Sequence, residues 1–118
     1  MLHSRELEIE VTVTGKLARV KLRGRLDTPG VDRIEAKFTS AVVPDGKNTV
    51  VDLSEVSFIA SMGLRMFISI AKSLKRNNAR MVLFAPQSQV NEIFNTVVLR
   101  DIVPIVVDEA EAVRFAVV

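Results

Sequence analysis

Nucleophilic, acid–base and metal chemistry each need particular side chains, and this sequence offers few of them. The single histidine is His3, in the opening segment, and there is no cysteine. A serine nucleophile therefore has no histidine base to activate it, and a His/Cys zinc site cannot be assembled. The five glycines, Gly15, Gly24, Gly30, Gly46 and Gly63, spell neither a P-loop nor a dinucleotide fingerprint. Asp27, Asp52 and Glu55 could converge near strand ends, but Asp in such places commonly fills caps and turns. A phosphoacceptor role for Asp52, at the end of a strand, would need acidic partners after the first strand to hold Mg²⁺, and that strand runs straight into a turn. The residues thus predict a protein that is not an enzyme and has no catalytic residue, cofactor or metal of its own.

One hydroxyl stands apart. The stretch Val50 to Arg65 starts as an apolar, β-branched run, crosses a polar turn and a second apolar segment, and enters a helical pattern at Ser61. A hydroxyl at the mouth of a helix can cap it, or it can accept a phosphate whose charge changes what docks there. Both readings are open from the residues alone.

The elements that would hold this hydroxyl can be read in order. Leu7, Ile9, Val11 and Val13 alternate with Glu8, Glu10, Thr12 and Thr14, a half-buried strand. Gly15-Lys16 is a two-residue hairpin turn, and Ala18, Val20 and Leu22 continue the alternation on the return strand. The turn sets Val11 opposite Val20, Ile9 opposite Leu22, Glu10 opposite Lys21 and Glu8 opposite Arg23, so opposite charges meet across the solvent face. Gly24 to Asp27 reads as a loop, and Thr28-Pro29 as a helix start with a hydroxyl cap. Val31, Ile34, Phe38, Ala41 and Val42 follow at helical spacing up to the turn Pro44-Asp45-Gly46.

Thr49 to Leu53 is a third strand. In the helix opened by Ser61, Leu64, Phe67, Ile68, Ala71 and Leu74 form the expected core arc, with Met62 and Met66 drifting toward solvent. Asn77-Asn78 is a left-handed stop. Arg80 to Ala85 is a fourth strand. Ser88 then caps a short helix with Val90, Ile93, Phe94 and Val97 inward. Ile102 to Val107 holds a short fifth strand, edge-placed because of Pro104. Asp108 and Glu111 open a last amphipathic helix in an acidic variant of the capping box. The order predicts one α/β domain over residues 1–118: a mixed sheet opened by an N-terminal hairpin, with about four helices packed mainly on one face.

Composition narrows the class. With 118 residues, 48% hydrophobic and 25% charged, the chain can bury a core and is not disordered. No apolar run approaches ~18 residues, and Met1 to Glu6 lacks the pattern of a signal peptide, so a cytoplasmic protein without membrane partners is expected. The charge is only +2, and there is no Trp or Tyr to stack on bases, which argues against nucleic acid.

Asp52-Leu53-Ser54-Glu55-Val56-Ser57-Phe58-Ile59, followed by Ser61-Met62-Gly63-Leu64, resembles the signature of STAS domains, and more closely that of bacterial anti-sigma factor antagonists. Gly24-Arg25-Leu26-Asp27 resembles the family's Gly-x-Leu-Asp segment. The resemblance, which covers nearly the whole chain, implies a mechanism. The serine matching Ser61 is phosphorylated by an anti-sigma factor that is also a serine kinase, the unphosphorylated form binds that partner and frees the sigma factor, and a phosphatase resets the switch. Beside Ser61, Asp27 and Ser57 are expected to shape the site, and Met62 and Met66, adaptable side chains in a stripe beside the core arc, are expected to contact the partner with Gly63 and Arg65, unless the stripe is the edge of the core; the chain is expected to act as a monomer or weak homodimer. Family members carry Asp just before the phosphorylated serine, whereas Ala60 stands here. The alternative is accordingly a STAS-like scaffold or ligand-sensing interaction module that is not phosphorylated.

Overall fold

A computed structural model describes residues 6–117; His3 lies outside them. The alternating segment forms β1 (Glu8–Thr14) and β2 (Leu17–Leu26), joined across Gly15 at φ 62°. The ladder has the register that the two-residue turn dictates, with Ile9 opposite Leu22, Val11 opposite Val20, Glu8 opposite Arg23 and Glu10 opposite Lys21. The ion pairs are drawn differently. Arg23 reaches Glu10 at 3.1 Å, and Lys21 turns away from β1 to Glu55 at 2.9 Å and Asp52 at 3.9 Å. The strand β3 (Asn48–Ile59) lies on the other side of β2 and offers the nearer acids.

β2 and β3 are both longer than the hydrophobic pattern suggests. Gly24 to Leu26 is strand rather than loop, and β3 runs on past Leu53, where the reading above ended it in a polar turn, as far as Ile59. The parallel register explains the discrepancy. Between the pairs Lys21–Asp52 and Arg23–Glu55, β2 advances two residues and β3 three; between Gly24–Val56 and Arg25–Phe58, β2 advances one and β3 two. Two bulges therefore put an extra residue into β3 each time. Leu53, Val56 and Ile59 stay in the core with two exposed residues between successive members, a spacing that hides the strand from a period-two reading.

The sheet order is β1-β2-β3-β4-β5, with β4 at Met81–Phe84 and β5 at Ile105–Val106; only the hairpin is antiparallel. Three helices, α1 (Thr28–Val42), α2 (Ser61–Arg76) and α3 (Ser88–Thr96), bury Phe38, Phe67 and Phe94 against one face with Val20, Leu22, Val51, Leu53 and Leu83. The fourth, α4 (Glu109–Val117), closes part of the other face through Ala112 and Ala116 on Val50, Val82 and Phe84. This is the mixed α/β sheet with its helices mainly on one side. A 3-10 turn at Val98–Asp101, not foreseen, follows α3.

Several local assignments change. The cap of α1 is Asp27, whose Oδ1 accepts the Gly30 N–H at 2.9 Å, and Thr28 is already helical. Ser88 is likewise the first residue of α3 and caps nothing; Ile93 and Val97 are exposed, leaving Val90 and Phe94 inward. Asn78 takes the left-handed stop at φ 61°, and Asp108 Oδ1 accepts the Glu111 N–H at 2.9 Å. In α2 the buried residues are Gly63, Met66, Phe67, Ile70 and Leu74. Met66 is 1% exposed, against the expected drift to solvent, because α2 packs on α1 as well as on the sheet and its buried arc extends to Met66 and Ile70. Leu64 and Ile68, assigned to the core from periodicity, are half-exposed.

Candidate functional site

The parallel strands β2 and β3 end side by side at Leu26 and Ile59, and the Ala60 N–H donates to Leu26 O at 3.0 Å. Each chain then turns into a helix: Asp27 caps α1, and Ser61 is the first residue of α2. Residues that stand 34 positions apart in sequence are thus brought to one edge of the sheet by a single strand pairing.

At this edge Asp27 is fully engaged. One oxygen takes the Gly30 N–H and the other lies 3.5 Å from Arg25 Nε, while the Arg25 guanidinium sits 4.2 Å from the centroid of the Phe58 ring. A Cβ on Gly30 would fall 2.5 Å from Arg25 O and 3.0 Å from Asp27 Oδ1, so only glycine lets α1 start this close to β2. Asp27 therefore shapes the edge through α1 and Arg25.

Ser61 is exposed, and no side-chain hydrogen bond engages its hydroxyl among the described residues. It does not cap α2. The cap position belongs to Ala60, which has no side-chain acceptor to offer, and Ala60 O takes both the Gly63 and Leu64 N–H groups, at 2.9 and 3.2 Å. Gly63 is buried against the strand ends: an added Cβ would meet Ile59 Cγ1 at 2.9 Å and Leu26 Cβ and O at 3.2 Å. Gly63 is a packing position that seats the start of α2. Met62 is half-buried against the core and Met66 is wholly inside it, so of the four α2 residues singled out as contacts only Arg65 is fully exposed. Ser57 is exposed on β3; its carbonyl faces Gln89 Nε2 at 3.5 Å, and the Ser54 carbonyl accepts Gln87 Nε2 at 2.9 Å, tying β3 to the start of α3.

The surface beside Ser61 is different from the Met62–Met66 stripe. Ser61, Leu64, Arg65 and Ile68 form one wall of an open groove of about 330 Å³, and Val97, Leu99 and Ile102 form the other. Val97 and Ile102 are 38% and 41% exposed. The sequence placed Val97 inward because helical spacing was carried past Thr96; Val97 is instead extended and leads into the 3-10 turn. The signal available was the density of apolar residues from Val97 to Ile102, more than one short turn can bury.

The acids Asp52 and Glu55 lie elsewhere, on the α4 side of β3. Lys21 bridges them, and Asp52 Oδ1 also accepts the Ser54 N–H at 2.9 Å. The hydrogen bond from Lys21, with its charge, holds the Glu55 carboxyl below the usual range and raises the Lys21 ammonium. Asp27, paired with Arg25, is not part of this cluster, and among the described residues no group of three His, Cys, Asp or Glu side chains could hold a metal ion. No helix of the described residues is long and apolar enough to cross a membrane.

The family model of the STAS domain matches residues 8–112. The anti-sigma-B factor antagonist of Staphylococcus aureus is 28% identical over 96 residues, which are 81% of this chain and 89% of that protein. Among solved structures, an anti-sigma factor antagonist from Mycobacterium paratuberculosis superposes with a TM-score of 0.85 at 20% identity, covering 98% of each chain. The antagonist SpoIIAA in its unphosphorylated form gives 0.74 at 23% identity over 92% of this chain and 95% of its own. Its phosphorylated form, from Bacillus, gives 0.68 at 22% identity over 92% and 98%. With a matching fold, and a family model that spans both bulged β3 and the Ser61 turn, the chain belongs to the STAS domain family, whose members reported above are anti-sigma factor antagonists.

Proposed function

We propose that the protein is a cytoplasmic anti-sigma factor antagonist that binds a cognate anti-sigma factor and is switched off when that partner, acting as a serine kinase, phosphorylates Ser61. The observation that carries this reading is the free, exposed Ser61 hydroxyl on the first turn of α2, at the rim of the apolar groove formed with Leu64, Ile68, Val97 and Ile102. A phosphate there adds about −1.5 to −2 charges at pH 7. The helix start accommodates negative charge, since it presents backbone N–H groups and the positive end of the dipole. The partner's docking surface would instead meet a strongly hydrated group at the edge of an apolar contact and lose affinity by desolvation. The antagonist supplies no ATP site in this scheme; the nucleotide belongs to the kinase, and a phosphatase restores the binding form.

Incubation with the cognate kinase and ATP, followed by intact mass and peptide mapping, tests the assignment. The expected result is a gain of one phosphate on Ser61 and none on Ser61→Ala. Ser61→Asp should bind the partner at least about tenfold more weakly, about 1.4 kcal/mol, with thermal stability nearly unchanged. Equal affinity of both forms for the partner would overturn the docking model. The second reading, an interaction module that is never phosphorylated, is favoured by Ala60, which leaves no carboxylate beside the hydroxyl. Tight binding to the partner without any phosphate transfer would select it.

A further inference from the structure

The pole opposite Ser61, where β3 and β4 begin, gathers positive charge. Hydrogen bonds stitch its parts together: the Asn48 N–H donates to Lys16 O at 2.8 Å, the Thr49 N–H to Arg80 O at 2.8 Å, and Asn77 Nδ2 to Val43 O at 2.7 Å. The hairpin turn, the loop after α1 and the loop after α2 are therefore one surface. It carries Lys16, Lys47, Lys75, Arg76, Arg80 and Arg114, and none of these six has an ion-pair partner among the described residues. The acids of this pole are Asp45, in the loop after α1, and Glu111, beside Arg80 and Arg114. Elsewhere Arg19, Lys21, Arg23, Arg25 and Arg33 are each paired with a carboxylate, while Lys37, Arg65, Lys72 and Arg100 have no ion pair among the described residues but are not gathered on one surface with the six.

Helix dipoles account for part of this. Lys75 and Arg76 end α2 and Arg114 lies in the last turn of α4, where cations are favoured. Arg80, which precedes β4, belongs with them: it donates from Nη1 at 3.1 Å to Phe115 O, a last-turn carbonyl of α4. What the dipoles do not account for is the groove that Arg80 and Lys75 border, about 650 Å³, whose walls include Ala71, Met81, Ile102 and Phe115. Phe115 is 45% exposed and forms a ridge between this groove and a second depression shared with Arg80 and Arg114.

We infer that this pole is a second docking surface, which meets the Ser61 groove only at Ile102, and that it takes an acidic, amphipathic peptide segment of another protein. Its carboxylates would meet Lys75, Arg80 and Arg114, and its apolar side chains would enter the groove beside Phe115. Charge complementarity selects this occupant. A second copy of the chain would set six unpaired cations against six more, and like charges across an interface are costly. A concave site suits side chains that insert better than it suits a flat bilayer. The absence of Trp and Tyr leaves nothing for unpaired bases to stack on except Phe115.

The test uses the whole chain, isotopically labelled, with a synthetic acidic, amphipathic peptide of sequence EELLEEFLEEL and two controls, one with Lys for every Glu and one with Ser for every Leu and Phe. Amide shifts should move at Ala71, Lys75, Arg80, Met81 and Phe115 with the acidic peptide, at micromolar to sub-millimolar concentration, while Ser61 and Leu64 stay still. The Ser control should bind at least about fivefold more weakly and the Lys control not at all. The double charge reversal Lys75→Glu with Arg80→Glu should weaken binding at least about tenfold, with an otherwise unchanged spectrum that shows the fold is kept; Phe115→Ser reports the groove without altering charge. Absence of shifts at this pole, or equal binding of the Ser control, overturns the proposal. So does preferential binding of these residues to phosphatidylglycerol vesicles or single-stranded DNA, or a dimer in solution that buries them. None of these outcomes bears on phosphorylation at Ser61.

Discussion

Gly63→Ala sets two effects of opposite sign against each other. On an isolated helix the change gains about 1 kcal/mol, because alanine is the better helix former. At this position the new methyl would sit 2.9 Å from Ile59 Cγ1 and 3.2 Å from both Leu26 Cβ and Leu26 O, against about 3.5–4.0 Å for comfortable carbon contacts. Ile59 is 4% exposed and Leu26 is fully buried, and the Leu26 carbonyl is already held by the Ala60 N–H, so the strand ends cannot step aside freely. Helix α2 must lift by several tenths of an ångström. Overpacking of this kind costs about 1–3 kcal/mol. Subtracting the propensity gain leaves a net loss of about 0–2 kcal/mol, centred near 1, or a melting point lower by about 3–6 °C for a chain of this size. Urea unfolding of both proteins with a common slope measures it. The same lift displaces Ser61, two residues earlier, so partner affinity should fall with stability. A gain in stability of ~0.5 kcal/mol or more, within reach of propensity alone, would refute the close approach of α2 to the strand ends.

Ala60→Asp should stabilise the protein by about 1 kcal/mol in urea unfolding, because the cap residue of α2 has extended dihedrals (φ −105°, ψ 175°) and lacks an acceptor; no gain would mean that the first N–H groups of α2 are already satisfied. Met66→Ala and Leu64→Ala should part company. The first empties a core site and costs about 2–5 kcal/mol, whereas the second trims a half-exposed groove wall, costing less than about 1.5 kcal/mol of stability while weakening partner binding; calorimetry and a binding titration on both variants would expose a reversed order. Glu55 is held below its usual range by Lys21, so the unfolded chain binds that proton more readily. Its contribution is present above pH ~4.3, the unfolded value, and is lost as pH falls through the lower folded value. Glu55→Gln should therefore flatten the rise of stability with pH across that window, and identical pH profiles for the two proteins would contradict the pairing.

The hairpin register was legible because a two-residue turn leaves one way to close and the alternation of Ile9, Val11, Val20 and Leu22 agrees with it. The order of elements and the placement of Ser61 at a helix start were legible for similar reasons: strong periodicity and clear stops at Pro44 and Asn78. Three features were not. The β3 bulges break the period of two with buried residues at Leu53, Val56 and Ile59, and nothing local separates that spacing from a turn. Thr28 and Asp27 can each cap a helix that has Pro29 near its start, and the choice rests on Asp27 reaching both the Gly30 N–H and Arg25. The face of α2 was rotated because a helix with apolar residues at 62, 64, 66, 67, 68, 70, 71 and 74 has more apolar arc than one sheet can cover. Which flank is buried depends on α1, and which flank opens a groove depends on the 3-10 turn after α3.

That last dependence bears on how modification at Ser61 would act. The start of α2 is anchored by the Ala60 N–H on Leu26 O, by the seat of Gly63 on Ile59 and Leu26, and by the burial of Met66 and Phe67. None of these anchors involves the Ser61 side chain. The groove, in contrast, is built from the same flank of α2 that carries Ser61, with Leu64, Arg65 and Ile68 following along it. A change of charge at position 61 therefore reaches the groove directly and the fold hardly at all. Had Ser61 been the cap of α2, the same phosphate would have removed a structural hydrogen bond, and binding and folding would have been coupled. With Ala60 as the cap residue, the two are separable, which is what lets partner affinity and melting temperature be read as independent measurements in the Ser61→Asp comparison.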